Sequence, residues 1–299
     1  MIDFDFINGK YKTVSDFETT DVEYIRLIEN ITDDIIKTKD EKPIILLSGP
    51  SGSGKTTTAY FIEAALDKKG YETHTVSLDN YLKTILPDER LKLDYESPDR
   101  IDAELLTDHI EKLIKCEEIV VPSFDFANTR RNGYLTKIKR KKNELIIFEG
   151  IHALNPDTVR IDCEKSFRIY VSVTTRITDG SEIFQPEYVR LLRRMCRDKL
   201  YRGRMPSETL RFFESVEEGR KKFIAPYKSR ANAMIDSFIG YELGVYKSLL
   251  ARDLEDMRNI DSDGENDGVL RSLFGMIGSV EALNPDDVPE NSLIREFIG

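Results

Sequence analysis

Residues 44–58 read Ile-Ile-Leu-Leu-Ser-Gly-Pro-Ser-Gly-Ser-Gly-Lys-Thr-Thr-Thr, and no other stretch of the chain restricts its fold so strongly. Four apolar residues, Ile44 to Leu47, end at a glycine-rich turn that runs straight into a helix-forming stretch, Thr56 to Lys68. Gly49, Gly54, Lys55 and Thr56 satisfy the pattern G-x-x-x-x-G-K-[ST]. Glycine lets the backbone curl so that successive N–H groups converge on an anion. The helix that follows turns its positive end toward the same anion. Gly49, Ser51, Gly52, Ser53, Gly54, Lys55, Thr56 and Thr57 are therefore the expected phosphate-binding residues. Lys55 would reach the outer phosphates, and the Thr56 hydroxyl is suited to Mg²⁺. The other reading is a glycine-rich turn without nucleotide chemistry. A buried strand before the loop and a helix after it favour a nucleoside triphosphate.

The remaining composition narrows the setting. A chain of 299 residues holds one large domain or two small ones, with enough length for a substantial core. Its net charge of −10 disfavours general binding to nucleic acid or membrane surfaces. Cys116, Cys163 and Cys196 are far apart and odd in number, which fits neither a disulfide framework nor a metal site and suggests a reduced, cytoplasmic environment. The acidic N-terminus lacks the apolar stretch of a signal peptide, and no run approaches a membrane span.

Taken in order, residues 1–20 are polar and weakly patterned. Val22, Ile25, Ile28, Ile31 and Ile35 follow helical spacing over 21–36, with Asp21 as a candidate cap. Tyr71 to Leu78 alternates as a strand and ends at Asp79-Asn80-Tyr81. Asp79 reads either as a cap or turn residue or as a carboxylate at the binding edge of an α/β sheet, and its place after the second strand favours the latter. Residues 83–100 read as a charged loop, 101–115 as an amphipathic helix and 119–121 as a short strand. Seven basic residues and no acid occupy 130–142, with Gly133 expected near a hairpin tip. Such a run reads first as a solvated face.

Glu144 to Gly150 is a buried strand ending in Glu149, an acid placed either to hold Mg²⁺ or to cap the next element. Arg190, Arg193, Arg194 and Arg197 recur at i, i+3, i+4 and i+7, opposite Leu191, Leu192 and Met195. Four guanidinium groups on one face repel unless anions are near. With Arg202 and Arg204 beyond them, they suit a lid over a triphosphate, a solvated arginine face being the other reading. Residues 207–222 read as a helix capped by Ser207, 233–238 as the last strand and 242–257 as a helix. The acidic stretch 260–268 lacks the glutamate a calcium loop requires at its twelfth position. A helical segment around 269–280 and a polar tail follow.

The phosphate loop, Ser-Leu-Asp-Asn-Tyr at 77–81, Pro-Ser-Phe-Asp-Phe at 122–126, Phe-Glu-Gly-Ile at 148–151, the arginine-rich stretch at 190–198 and Arg-Gly-Arg at 202–204 resemble, in order and spacing, the uridine kinases of the uridine kinase/phosphoribulokinase family. The resemblance runs from about residue 20 to the end. Tyr-Glu-Leu-Gly-Val-Tyr-Lys at 241–247 and Ser-Leu-Ile-Arg-Glu-Phe-Ile-Gly at 292–299 resemble a bacterial branch of it. Kinases of that branch often follow a domain similar to part of threonyl-tRNA synthetase, which this sequence does not contain.

The resemblance implies an α/β P-loop fold, doubly wound and mostly parallel, with helices on both faces and a small β-hairpin or lid at the binding edge. It implies an N-terminal segment with one helix (1–42), a kinase domain (43–250) and a C-terminal helical extension packed on that domain (251–299). By the same resemblance Asp79 is the general base for a sugar 5′-hydroxyl and Glu149 lies near the metal. Tyr81, Asp94 and Phe124 line the acceptor, Asp94 holding ribose hydroxyls. Arg194, Arg197, Arg202 and Arg204 bracket acceptor and triphosphate. ATP or GTP with Mg²⁺ would be the cofactors. Homo-oligomers are common in the family.

Three positions depart from the nucleoside kinase pattern. Phe124 stands where a tyrosine is frequent, Thr129 near the place of a base-reading histidine, and Phe212 in place of a glutamine. A site without base-edge partners discriminates weakly by them. The expected function is therefore phosphoryl transfer to uridine or cytidine. The alternatives are another hydroxyl acceptor, such as a sugar, phosphosugar or different nucleoside, or a nucleotide-binding regulatory module without turnover. A guanine-reading Asn-Lys-x-Asp motif is absent from the sequence, and RNA binding by the basic run would be a minor role at most.

Overall fold

The computed structural model describes residues 1–85, 94–260 and 267–299. The chain opens with a short strand β1 (Ile2–Asp3) and two helices, α1 (Phe4–Lys10) and α2 (Val14–Thr38). This corrects the single-helix reading of the N-terminal segment. Asp16 accepts hydrogen bonds from the Thr13 backbone and hydroxyl, and this box starts α2 seven residues before Asp21. Asp21 is consequently a buried helix-interior residue rather than a cap. Phe4, Ile7, Tyr11 and Phe17, inconspicuous among polar neighbours, are core.

Next come β2 (Ile44–Ser48), α3 (Lys55–Lys68), β3 (Thr73–Ser77), α4 (Ala103–Ile114), the hairpin β4 (Glu118–Asp125) and β5 (Arg130–Lys139), and β6 (Leu145–Glu149). β7 (Ser166–Ser172), β8 (Ile177–Thr178), β9 (Ile183–Phe184), α5 (Pro186–Arg202), α6 (Pro206–Arg211) and α7 (Phe213–Gly219) follow. The chain closes with β10 (Ala233–Asp236), α8 (Glu242–Ile260), α9 (Asp267–Gly278) and α10 (Arg295–Ile298).

Five strands form one parallel sheet in the order β10-β7-β2-β6-β3. β2 is central, with β6 on one side and β7 on the other, so the loop after it opens at the crevice where the winding reverses. Strand periodicity divides the core. Ile45 and Leu47 face the layer holding α2, α3, α5 and α8, while Ile44 and Leu46 face the layer holding α4 and the hairpin. All five residues of β2 and of β6 are buried, as sheets covered on both faces require.

Three local expectations change. Gly133 lies inside β5, not at the tip, where the register slips between Val121 and Ser123, and the tip is residues 126–129. The expected helix over 207–222 is broken. α6 starts after Met205, whose N–H is capped by Glu208, Phe212 separates α6 from α7, and a π-helical turn spans Arg220–Ile224. The tail is no polar appendage, because Leu293, Ile294 and Phe297 are buried. The expected loop over 83–100 falls partly, and the acidic stretch 260–268 largely, outside the described residues. Among the described residues no helix is long and apolar enough to cross a membrane.

Candidate active site

The phosphate loop is held by close backbone approaches that only glycine permits. A Cβ on Gly49 would sit 1.9 Å from the Val171 carbonyl oxygen, and one on Gly52 would sit 2.8 Å from that of Arg190. Gly52 and Gly54 adopt left-handed φ values of 76° and 79°. Ser53 is buried, Ser51 is half-buried, and Thr56 at the start of α3 is exposed. The Lys55 ammonium donates to the Pro50 carbonyl at 3.1 Å. Burial pushes its pKa down, and Glu149, Glu296 and Asp79 pull it back up.

Two carboxylates come from neighbouring strand ends. Ser77 and Glu149 pair in register across β3 and β6, and Asp79 lies two residues beyond Ser77 in a helical turn. The Asp79 backbone N–H donates to the Ser77 hydroxyl at 3.3 Å. Asp79 keeps one side exposed. Protein atoms nevertheless ring it closely enough for desolvation to raise its pKa, against Lys55, Arg100 and Arg202. Glu149 is buried and shifts upward for the same reason, with Lys55 opposing. Lys55, Asp79 and Glu149 thus share one electrostatic neighbourhood. A threonine hydroxyl such as that of Thr56 and a carboxylate such as that of Glu149 are the kind of oxygen ligand a hard divalent cation prefers.

The arginines of α5 divide their work. Arg190, Arg193 and Arg194 are all buried, so no solvated arginine face exists here. Arg190 pairs with Glu217 at 2.6 Å and donates to the Ser51 carbonyl at 3.4 Å. Arg193 is fully enclosed, pairs with Glu242 at 2.6 Å and donates to the Gly52 carbonyl at 3.2 Å. The anions that relieve the crowded guanidinium groups are the protein's own, and two of these arginines grip the outer side of the phosphate loop. Arg194 packs its stem against Gly52, and its buried Nε lacks a hydrogen-bond partner among the described residues. Arg197, Arg202 and Arg204 gather around the fully buried Asp198 at 3.2, 3.1 and 3.7 Å.

The acceptor-side residues are sorted differently from expectation. Tyr81 is fully buried, its hydroxyl 3.0 Å from His109 Nδ1, so it packs the core. Phe124 is also core, edge-on to Phe126. Asp94 is exposed and accepts the backbone N–H of Glu96 at 3.0 Å. Glu96 itself points inward. Its Oε2 is buried without a hydrogen-bond partner, and desolvation raises its pKa against Arg194 and Lys55. A turn closed by the Ser97 backbone N–H on the Asp94 carbonyl at 3.1 Å leaves Asp94 outside and turns Glu96 inward, a difference that residue spacing does not register.

His152 was not singled out by the sequence. It is buried and pushed down to about 4 by desolvation. The Glu96 and Phe223 backbones lie near it, but neither ring nitrogen reaches hydrogen-bond geometry with a described group. Thr129 sits at the hairpin tip with φ 52°, and Phe212 is exposed beneath the Arg204 guanidinium at 5.8 Å.

The basic run 130–142 is dispersed. Arg131 pairs with Asp102, Lys137 with Glu118 and Lys141 with Glu72, while buried Arg140 donates to the Leu113, Ile114 and Glu144 carbonyls.

A parallel sheet with a glycine-rich phosphate loop, its lysine and two carboxylates at the carboxyl edge defines a P-loop kinase. The family model described as Phosphoribulokinase / Uridine kinase family matches residues 44–240. The chain is 34% identical over 199 residues to uridine kinase of Staphylococcus aureus strain JH9, covering 64% of this chain and 86% of that protein. The same values hold for uridine kinase of strain Newman. In structure it is similar to a candidate fructose transport system kinase from Silicibacter sp. TM1040, with TM-score 0.50 and 16% identity over 70% of this chain and 98% of that one. The chain therefore belongs to the phosphoribulokinase/uridine kinase family and is an ATP-dependent kinase.

Proposed function

We propose that this kinase transfers the γ-phosphoryl group of ATP or GTP to the 5′-hydroxyl of a nucleoside, uridine or cytidine first. The observation that carries the reading is Asp79, an exposed carboxylate just past the end of β3 whose charge and that of Lys55 act on each other. Asp79 accepts the proton of the attacking hydroxyl. The loop N–H groups and Lys55 hold the triphosphate, and Arg194, Arg197, Arg202 and Arg204 neutralise charge on the transferring group. The last three leave Asp198 in part to do so. Glu96, rather than Asp94, holds acceptor hydroxyls. Thr56 and Glu149 would hold Mg²⁺, which when bound supplies charge neutralisation between the phosphates. The relatives named uridine kinase support the nucleoside acceptor.

A second reading, a different hydroxyl acceptor, is favoured by the positions expected to read a base. Phe124 is core, Thr129 is a turn residue and Phe212 lies under Arg204. The test is ADP release with Mg·ATP against uridine, cytidine, adenosine, inosine and several sugars, alongside Asp79→Asn. Turnover with a pyrimidine nucleoside that Asp79→Asn abolishes supports the first reading. Turnover with another acceptor alone replaces it with the second, and no turnover above background leaves a nucleotide-binding module.

A further inference from the structure

The C-terminal segment ends on the phosphate loop. α10 brings Glu296 to the amino end of α3, where its Oε2 accepts the Thr57 backbone N–H at 3.2 Å and the Thr57 hydroxyl at 2.7 Å. Leu293 lies against the left-handed Gly54, with methyl groups 3.0 Å from where a Cβ would stand. The segment is anchored on both sides of Glu296. Ser292 bonds Asp21 at 3.0 Å and Tyr241 at 2.7 Å, and Phe297 is fully buried with the Arg193 guanidinium 5.1 Å over its ring. Glu296 also pulls up the pKa of Lys55, which puts its charge within reach of the phosphate-binding lysine.

A carboxylate oxygen taking an N–H and a hydroxyl at a helix amino end makes the contacts a phosphate oxygen would make there. Thr57 is the third residue of α3, and its donors are part of the set the loop offers to a polyphosphate. Each of these protons serves one acceptor at a time, so a phosphate oxygen that takes either of them must displace the carboxylate from it. We propose that Glu296 is a built-in competitor for the nucleotide: its carboxylate holds the Thr57 donors until a triphosphate takes them, so the C-terminal segment lowers nucleotide affinity. This rests on the triphosphate-binding reading of the loop.

The test is calorimetric titration of Mg·ATP into the full chain as wild type, Glu296→Gln and Glu296→Ala, with thermal melts to establish folding. Neither substitution removes Leu293, Ile294 or Phe297, so the anchor persists. Both variants should bind Mg·ATP roughly tenfold more tightly, a difference of about 1.4 kcal/mol. Equal or weaker binding by the folded variants overturns the proposal and makes Glu296 a support of the loop instead. Absence of binding by wild type and variants alike would remove the triphosphate reading itself, a result distinguishable from the first.

Discussion

Asp79 combines an exposed side with a carboxyl pKa raised by the surrounding protein. A general base must be ionised, so the acid limb of the pH–rate profile should lie above that of an ordinary aspartate, and activity should fall as pH drops through it. Asp79→Asn should lower kcat by about 10²-fold or more with Mg·ATP affinity retained, checked by steady-state kinetics beside direct nucleotide titration. Glu96 and Asp94 offer a sharper comparison. Glu96 presents a buried, unpartnered oxygen near Arg194 and Lys55, whereas Asp94 faces solvent. Glu96→Gln should raise the acceptor KM about tenfold, the scale of a lost charge-assisted hydrogen bond, and Asp94→Ala should leave it nearly unchanged. The reverse order would return the acceptor role to Asp94.

At the scale of the element, α5 shows most clearly how distant parts of the chain decide the role of a charged face. Its arginine spacing was visible in the sequence, but helical periodicity cannot say whether a charged face meets water, substrate or protein. The structure answers with Glu217 from α7 and Glu242 from α8, acids distant in sequence that enclose Arg190 and Arg193. Burial works against the charge of Arg193, and Glu242 more than offsets it. Removing one partner of an enclosed pair strands the other charge, so Glu242→Ala should destabilise the fold by about 3–5 kcal/mol in denaturant titrations. Because Arg193 also holds the Gly52 carbonyl, the same variant should weaken nucleotide binding while still folded. A loss below about 1 kcal/mol would mean that water replaces the carboxylate there.

For the whole molecule, the ends of the chain meet at Asp21. Tyr241 and Ser292 both donate to its carboxylate, joining α2, the start of α8 and the C-terminal segment. Burial raises its pKa from 3.8 to about 6. Between those values the folded chain binds more protons than the unfolded one. The stability this group contributes is therefore fully present below the unfolded value and is lost as pH rises through the folded value. Asp21→Asn removes the titration, so its melting temperature should gain on that of wild type as pH is raised from about 4.5 to 7.5. A constant difference across that window would show that Asp21 keeps an ordinary pKa.

By itself the sequence determined the phosphate loop, the strand before it, the helix after it and the two strand-end acids. These depend on glycine stereochemistry, alternation and local spacing, all of which act within a few residues. It also marked the arginines of α5 and the hairpin. The tertiary structure alone decided which charges those arginines meet, that Glu96 rather than Asp94 turns inward, that Tyr81 belongs to the core, and that Glu296 closes on Thr57. Each of these depends on which distant side chain arrives at a given surface. A carboxylate 239 residues away from Thr57 leaves no periodic trace in the chain, and only packing brings the two together.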